Sequence, residues 1–541
     1  MTERILMKPA LFLLGLVLLA HLPALRAVDF HYDDGHSIVR NPHVRNLANL
    51  PRFFADPTLF GENPADAMYR PVVLVAHAVS QYLSPDSASG FLALNLALHG
   101  AATLLLFRVL TVLVPGGALL GAMLFALHPL QTEVVNYVSA RSESLVAVGI
   151  LLAVLAFLQY RSTARPTWLW ALAGGQLLAL GAKEVGVVTP LLLLAIHWLL
   201  PAGQRASARR AHLTSAAILV PYLIVYQSFR DISITPPLRS VTAQLATQIK
   251  ALVHYVQSSV TPFDLSVAPQ FSQSGSIVEA PVALAASAIG SGAFLLWMGR
   301  RRLPGLGLAA LWWLICLSPT LLVPLNVLVN DHRPYLALGG LALGAGSLFR
   351  RQPHRAGWIL KAGLGLVLIA LCWQRAEDWR SEVSLWEAAV REGPGVAAAH
   401  HNLAFAYHQE DRTELARQHY ERAVALAPDY TRPLTNLGVL YRDAGQLQQA
   451  ETVLLRAVHS DPAAVEPLNN LGLVYAAQGR MDHAIRAYQA ALQSHPNVAD
   501  VWFNLGLAQR DAGQTQEAFQ SLQRALRLDP GIRHRLGDGG Q

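Results

Sequence analysis

Two adjacent carboxylates, Asp33 and Asp34, lie in the segment Asp29-Phe30-His31-Tyr32-Asp33-Asp34, directly after a long apolar stretch. A carboxylate at that depth stands level with a lipid head group. There it can serve as a general base toward an acceptor hydroxyl, or as a ligand for a divalent cation. A solvated turn is the ordinary role of a bare Asp-Asp pair, so the surroundings must decide. His31, His36 and Asp33 offer metal-ligand types, but their spacing is not diagnostic, and no metal site is assigned. A divalent cation stays open as the one candidate cofactor. Other charged residues near the ends of apolar stretches, Glu133, Arg141, Glu143, Lys183, Glu184, Asp331 and Arg333, are suspects as a group, because ionisable groups close to a bilayer are costly. Lys183 is one of only four lysines in the chain.

The elements that must position these groups are membrane helices. The 541 residues are 53% hydrophobic and 14% charged, an unusual balance for a soluble protein. Residues 1–374 carry 26 Lys+Arg against 15 Asp+Glu, whereas residues 375–541 carry 16 against 20, so two physically different halves are joined. Cys316 and Cys372 both lie in apolar stretches and give neither a disulfide framework nor a cysteine zinc site. The basic residues are spaced between hydrophobic segments instead of forming a basic face, which disfavours nucleic acid as a partner.

A bilayer core of about 30 Å needs roughly 20 apolar residues in helix. That requirement predicts about eleven spans, near 9–28, 89–113, 118–134, 143–160, 167–183, 185–200, 212–229, 281–299, 303–324, 334–349 and 357–374. The first is read as an uncleaved helix in preference to a signal peptide. Short cytoplasmic loops retain Lys and Arg. Five clusters meet that description: Arg4 with Lys8, Arg161 with Arg165, Arg205 with Arg209 and Arg210, Arg300 to Arg302, and Arg350 with Arg351 and Arg355. Placing them on one face puts the loop 29–88 and everything after Gln374 on the other. Residues 70–83 and about 246–260 are apolar but amphipathic and are read as helices along the outer interface.

From residue 397 a 34-residue period runs through Pro428, Pro462, Pro496 and Pro530, with Leu403, Leu437, Leu471 and Leu505 and the small residues Ala404, Gly438, Gly472 and Gly506 in step. Small residues let two antiparallel helices approach, and proline ends the second one. The pattern resembles the tetratricopeptide repeat over four repeats, 397–532, preceded by a linker and half repeat over 375–396 and followed by an unstructured tail, 533–541. Asn402, Asn436, Asn470 and Asn504 recur one position before the leucine, where their amides could hold the backbone of an extended acceptor polypeptide.

Tyr32-Asp33-Asp34, Asn41-Pro42, Tyr69-Arg70-Pro71, Asn95 with His99, Leu127-His128-Pro129 with Thr132-Glu133, Val138-Ser139-Ala140-Arg141 and Lys183-Glu184 follow one another in the order found in the transmembrane and tetratricopeptide-repeat containing family, which the whole chain resembles. The resemblance implies an all-α protein: a polytopic GT-C-like helical bundle over 1–374, then a tetratricopeptide-repeat α-solenoid. It also implies an inverting glycosyltransferase that moves a hexose, mannose in that family, from a polyprenyl-phosphate donor to Ser or Thr hydroxyls. On that reading Asp33 or Asp34 is the catalytic carboxylate. Arg141, Lys183 and Arg333, with His128, Glu133, Glu184 and His332, hold the lipid phosphate, whose departure requires cations fixed in advance. The alternative for each cation is an ion pair: Arg141 with Glu133 or Glu143, Lys183 with Glu184, Arg333 with Asp331. Ser142-Glu143 stands where similar proteins often have a short residue and Asp, which leaves Glu143 without an assigned role.

Two other functions fit the same outline: a noncatalytic membrane scaffold for envelope assembly, and a GT-C enzyme that acts on glycolipid or transfers oligosaccharide. The acidic pair separates the first of these, since a scaffold has no use for two carboxylates at that depth. The expected setting is multi-pass in a membrane with the repeats on the extracytoplasmic side, in a bacterial inner membrane in preference to the endoplasmic reticulum. Membrane lipids, the lipid-linked sugar and an acceptor protein are the expected partners.

Overall fold

The computed structural model describes residues 2–27, 29–64, 67–199, 208–230, 239–299, 304–325, 327–349 and 355–537. Arg205, Arg300 to Arg302, Arg350 and Arg351, on which the expected orientation partly rests, lie outside the described residues. Helices dominate, and no β-strand occurs among the described residues. The chain divides into two compact units, Met1–Ala388 and Ala389–Gln541.

In the first unit, seven helical segments among the described residues are long and apolar enough to cross a bilayer: Leu6–Arg26, Ala88–Leu113, Arg141–Thr163, Ala208–Phe229, Ala280–Gly299, Gly305–Leu322 and Ile359–Asp378. The other four expected spans are shorter helices. Residues 118–134 form Ala118–Leu127, which stops at His128-Pro129 and resumes as Gln131–Asn136. The helix at 167–183 is Thr167–Ala182, that at 185–200 is Thr189–Leu199 after a 3-10 turn, and that at 334–349 is Leu338–Leu348. Helices of 10 to 16 residues fall short of the bilayer core of about 30 Å, and irregular backbone at such depth is tolerated only where protein covers it. The two amphipathic segments form Pro71–Leu83, with proline at its first position, and Val241–Val260.

Packing in this unit depends on small residues. Arg141–Thr163 and Thr167–Ala182 cross where a Cβ on Gly149 would stand 2.6 Å from the Gly175 carbonyl oxygen, and one on Gly175 equally close to that of Gly149. Only glycine permits this approach, the usual route to tight helix pairing without a hydrophobic driving force. The loop after the first span is a chain of short turns held inward by Asn41. Its buried amide donates to the carbonyls of Ser37, Leu59 and Phe60 at 3.1 to 3.2 Å.

The second unit stacks four helix pairs: Ala397–Gln409 with Thr413–Leu426, Thr431–Asp443 with Leu447–Ser460, Val465–Ala477 with Met481–Ser494, and Ala499–Asp511 with Thr515–Leu528. The periodic small position lies where the two helices of a pair touch: a Cβ on Gly438 would come within 2.5 Å of Leu454, and on Gly472 within 2.4 Å of Tyr488. The expected unstructured tail begins instead with a helical turn, Arg533–Gly537. Arg535 holds it by pairing with Asp500 and lying 4.4 Å over the Phe503 ring. Residues 538–541 lie outside the described residues.

Candidate active site

The two aspartates are placed differently. Asp34 is buried: one oxygen accepts from the backbone and hydroxyl of Ser139 at 2.8 and 2.5 Å, the other from the His31 amide at 3.2 Å. Burial pushes its carboxyl up to about 6 while these donors hold it down, so at neutral pH it is an ionised anchor with its lone pairs committed. Asp33 is exposed, its amide bonded to the Tyr137 hydroxyl at 3.3 Å, and its charge bears on the His332 imidazole.

His332 lines a cavity of about 530 Å³ together with Arg70, Glu143, Lys183, Glu184 and Arg333. Its lining also includes the apolar side chains of Val146, Phe229, Cys316, Val323 and Leu336. Lys183 pairs with Glu143 at 2.5 Å, not with its neighbour Glu184. Glu184 accepts from both Nε and Nη2 of Arg70, at 3.3 and 3.1 Å. Arg333 donates to the carbonyls of Val327 and Leu328 at 2.8 and 3.0 Å and, at 3.5 Å, to the Tyr255 hydroxyl. Asp331 instead accepts from the Ser266 amide at 2.8 Å. Arg333 therefore has no carboxylate partner among the described residues. Burial, followed by the Lys183 charge, holds the His332 imidazole down to about 3. Its 2.7 Å contact with Glu133 is accordingly a hydrogen bond of a neutral imidazole instead of an ion pair. Among the lining side chains, three cations face two carboxylates, leaving one positive charge beside apolar side chains.

Three residues expected to bind donor, Arg141, His128 and Glu133, do not line this cavity, and Glu133 meets it only through His332. Arg141 is fully buried, and its guanidinium is spent on Asn95 at 2.8 Å, the Ala76 and Phe91 carbonyls at 3.1 and 2.8 Å, Ser80 at 3.1 Å and His77 at 3.3 Å. Asn95 in turn donates to the Val134 and Tyr137 carbonyls. This network clamps the helix Ala88–Leu113 to the turn that carries Ser139, and so acts on Asp34 from behind. His128 likewise accepts from the Leu130 amide at Nδ1 and donates from Nε2 to the Ser259 carbonyl at 2.9 Å, so it fixes the break at Pro129. Arg141→Ala would leave several buried acceptors unpaired at about 1–3 kcal/mol each. The expected outcome is a lowered unfolding midpoint and poor yield in detergent. A stable variant with selectively weakened donor binding would return Arg141 to the site.

The sequence offered His31 only as a metal-ligand type and did not reveal its partner Glu382, which it meets at 3.2 Å beside Asp33, nor Trp379, whose ring stacks on Tyr137 at 5.5 Å. No three His, Cys, Asp or Glu side chains converge as metal ligands among the described residues. His31 uses its ring on Glu382 and the Trp379 carbonyl. In the repeats, Asn436 donates to the Tyr420 hydroxyl at 3.2 Å, Asn470 accepts from Arg442 at 3.0 Å, and Asn504 donates to Asn469 at 2.9 Å. These three amides thus take part in stitching successive helices together. Asn402 is half-buried on the first helix.

A helical membrane unit with a charged cavity, followed by a tetratricopeptide array, defines the class of protein. Residues 395–459 and 464–530 match the tetratricopeptide repeat family. A protein O-mannosyl-transferase of Caenorhabditis elegans is 25% identical over 441 residues, covering 78% of this chain and 63% of that protein. The O-mannosyl-transferase TMTC4 of Mus musculus is 30% identical over 150 residues, 24% of this chain and 20% of that protein. TMTC1 of Homo sapiens is 34% identical over 139 residues, 24% of this chain and 15% of that protein. The chain is similar to these TMTC and related proteins over part of its length, and it spans less than two thirds of the length of each of them. Among solved structures, MamA is 22% identical with a TM-score of 0.26, covering 28% of this chain and 89% of that one.

Proposed function

We propose that this protein is a membrane glycosyltransferase that moves mannose from a polyprenyl-phosphate carrier to Ser or Thr hydroxyls of extracytoplasmic proteins, which the repeats present. The observation that supports this reading best is the charge balance of the cavity. A polyprenyl-phosphate sugar is a phosphodiester with one negative charge on a hydrocarbon tail, which matches one uncompensated cation beside apolar side chains. A nucleotide sugar brings more charge and no tail. The names of the relatives point to the same chemistry.

In the reaction, the acceptor hydroxyl attacks the anomeric carbon, Asp33 takes its proton, and the bond to the phosphate oxygen breaks. Attack and departure on opposite faces invert that carbon. Arg333 and Lys183 face the phosphate as its charge grows, and Asp34 holds the loop that carries the base. The purified protein in lipid nanodiscs is offered labelled polyprenyl-phosphate mannose or GDP-mannose with a Ser/Thr peptide. Label is expected on the peptide from the lipid donor alone. Transfer from the nucleotide sugar, or from neither donor, would refute the reading.

A further inference from the structure

The backbone immediately before Asp33 is strained. Tyr32 has φ of 47°, a left-handed conformation that a residue with a Cβ adopts only when its surroundings impose it. What imposes it comes from about 350 residues further along the chain. Glu382 Oε1 accepts from the Tyr32 amide at 2.7 Å and from His31 Nδ1 at 3.2 Å. Its Oε2 accepts from the Trp386 indole at 2.7 Å. The Trp386 ring meets the Tyr32 ring edge-on at 5.6 Å, and His31 Nε2 donates to the Trp379 carbonyl at 2.9 Å. One carboxylate thus joins the two residues that precede Asp33 to the segment after the last membrane span.

Glu382 is the first residue of the helix Glu382–Glu392, so its carboxylate would ordinarily serve that helix end. Here the helix end is already satisfied. Ser381 Oγ accepts from the Ser384 amide at 3.1 Å, and Ser384 Oγ from the Ser381 amide at 2.9 Å, a reciprocal cap that leaves Glu382 out. The carboxylate is therefore committed to the loop.

Resting on the reading of Asp33 as the base, we infer that Glu382 is a positioning residue that holds Tyr32 in its left-handed turn and thereby aims Asp33 at the reacting hydroxyl. Without the clamp, Tyr32 relaxes to negative φ and carries Asp33 away, whereas glycine at position 32 retains positive φ at little cost.

The test compares wild type, Glu382→Ala, Tyr32→Gly/Glu382→Ala and Asp33→Asn in full-length protein, using polyprenyl-phosphate mannose and a Ser/Thr peptide. Misplacing a base by about 1 Å costs on the order of a hundredfold. Glu382→Ala should therefore lose kcat by about ten- to a hundredfold with the donor KM largely unchanged, and adding Tyr32→Gly should regain several-fold of the loss. An unchanged kcat in Glu382→Ala would overturn the inference. So would a loss that Tyr32→Gly fails to restore, since a merely structural defect has no reason to respond to relief of strain at one residue. Asp33→Asn separates the two readings: if it transfers normally, the assignment of the base fails. Hydrogen exchange over residues 29–41 then decides the clamp alone. Faster exchange in Glu382→Ala supports it, and unchanged protection refutes it.

Discussion

Asp33→Asn is expected to lower mannose transfer by about 10² to 10⁴, the usual cost of removing a positioned general base. Expression, unfolding temperature and donor binding should stay near wild type, because Asp33 is exposed and substitutions at exposed loop positions change stability by only about half a kcal/mol. Asp34→Asn should behave in the opposite way. Asparagine replaces one of the two acceptor oxygens that hold Ser139 and the His31 amide with a donor, so the backbone N–H bound to that oxygen loses its acceptor and faces a like group. The expected result is a lower unfolding temperature with a smaller loss of turnover. Parallel measurements of kcat and thermal unfolding on the two variants check both. Loss of turnover confined to Asp34→Asn would exchange the roles.

The second large effect is expected at Arg333. Its guanidinium lines the cavity and hydrogen-bonds only carbonyls and a hydroxyl, with no carboxylate in direct contact among the described residues. Arg333→Ala removes the one uncompensated charge and should cost about 10² to 10³ in kcat/KM for the lipid donor, the range for a group that stabilises charge developing in a transition state. Arg333→Lys restores the charge without the planar fork and should recover part of that loss. Steady-state kinetics with the lipid donor varied make the comparison. A full rate in Arg333→Ala would move the phosphate to the Lys183 side of the cavity.

The repeat array was legible because its evidence is redundant: Pro428, Pro462, Pro496 and Pro530 mark time, and Gly438 and Gly472 sit where the packing admits no side chain. The apolar stretches were legible from length, although Pro129 cut one of them and several proved shorter than a bilayer. In the membrane unit, charged residues near span ends could be recognised as expensive, but their partners could not. Lys183 pairs with Glu143, 40 residues away, and Arg70 with Glu184, 114 away, while the adjacent Lys183-Glu184 pair does not form.

Arg141 and His128 show the converse. A buried arginine that clamps a fold and one that grips a phosphate look alike in sequence, and only the five partners around Arg141 separate them. Glu382 gave no signal at all, since its significance lies in a contact with the loop near the other end of the chain. The local sequence around it reads only as a linker and half repeat.

On the proposed function, the charged cavity and Asp33 together transfer a hexose to protein. Intact masses of extracytoplasmic proteins from cells lacking the chromosomal copy test it most directly, with either the wild-type protein or Asp33→Asn supplied at equal abundance. A subset of those proteins is expected to gain whole hexose units with the wild-type protein and to stay unmodified with Asp33→Asn. Identical masses in the two strains, or hexose addition that persists with Asp33→Asn, would contradict it.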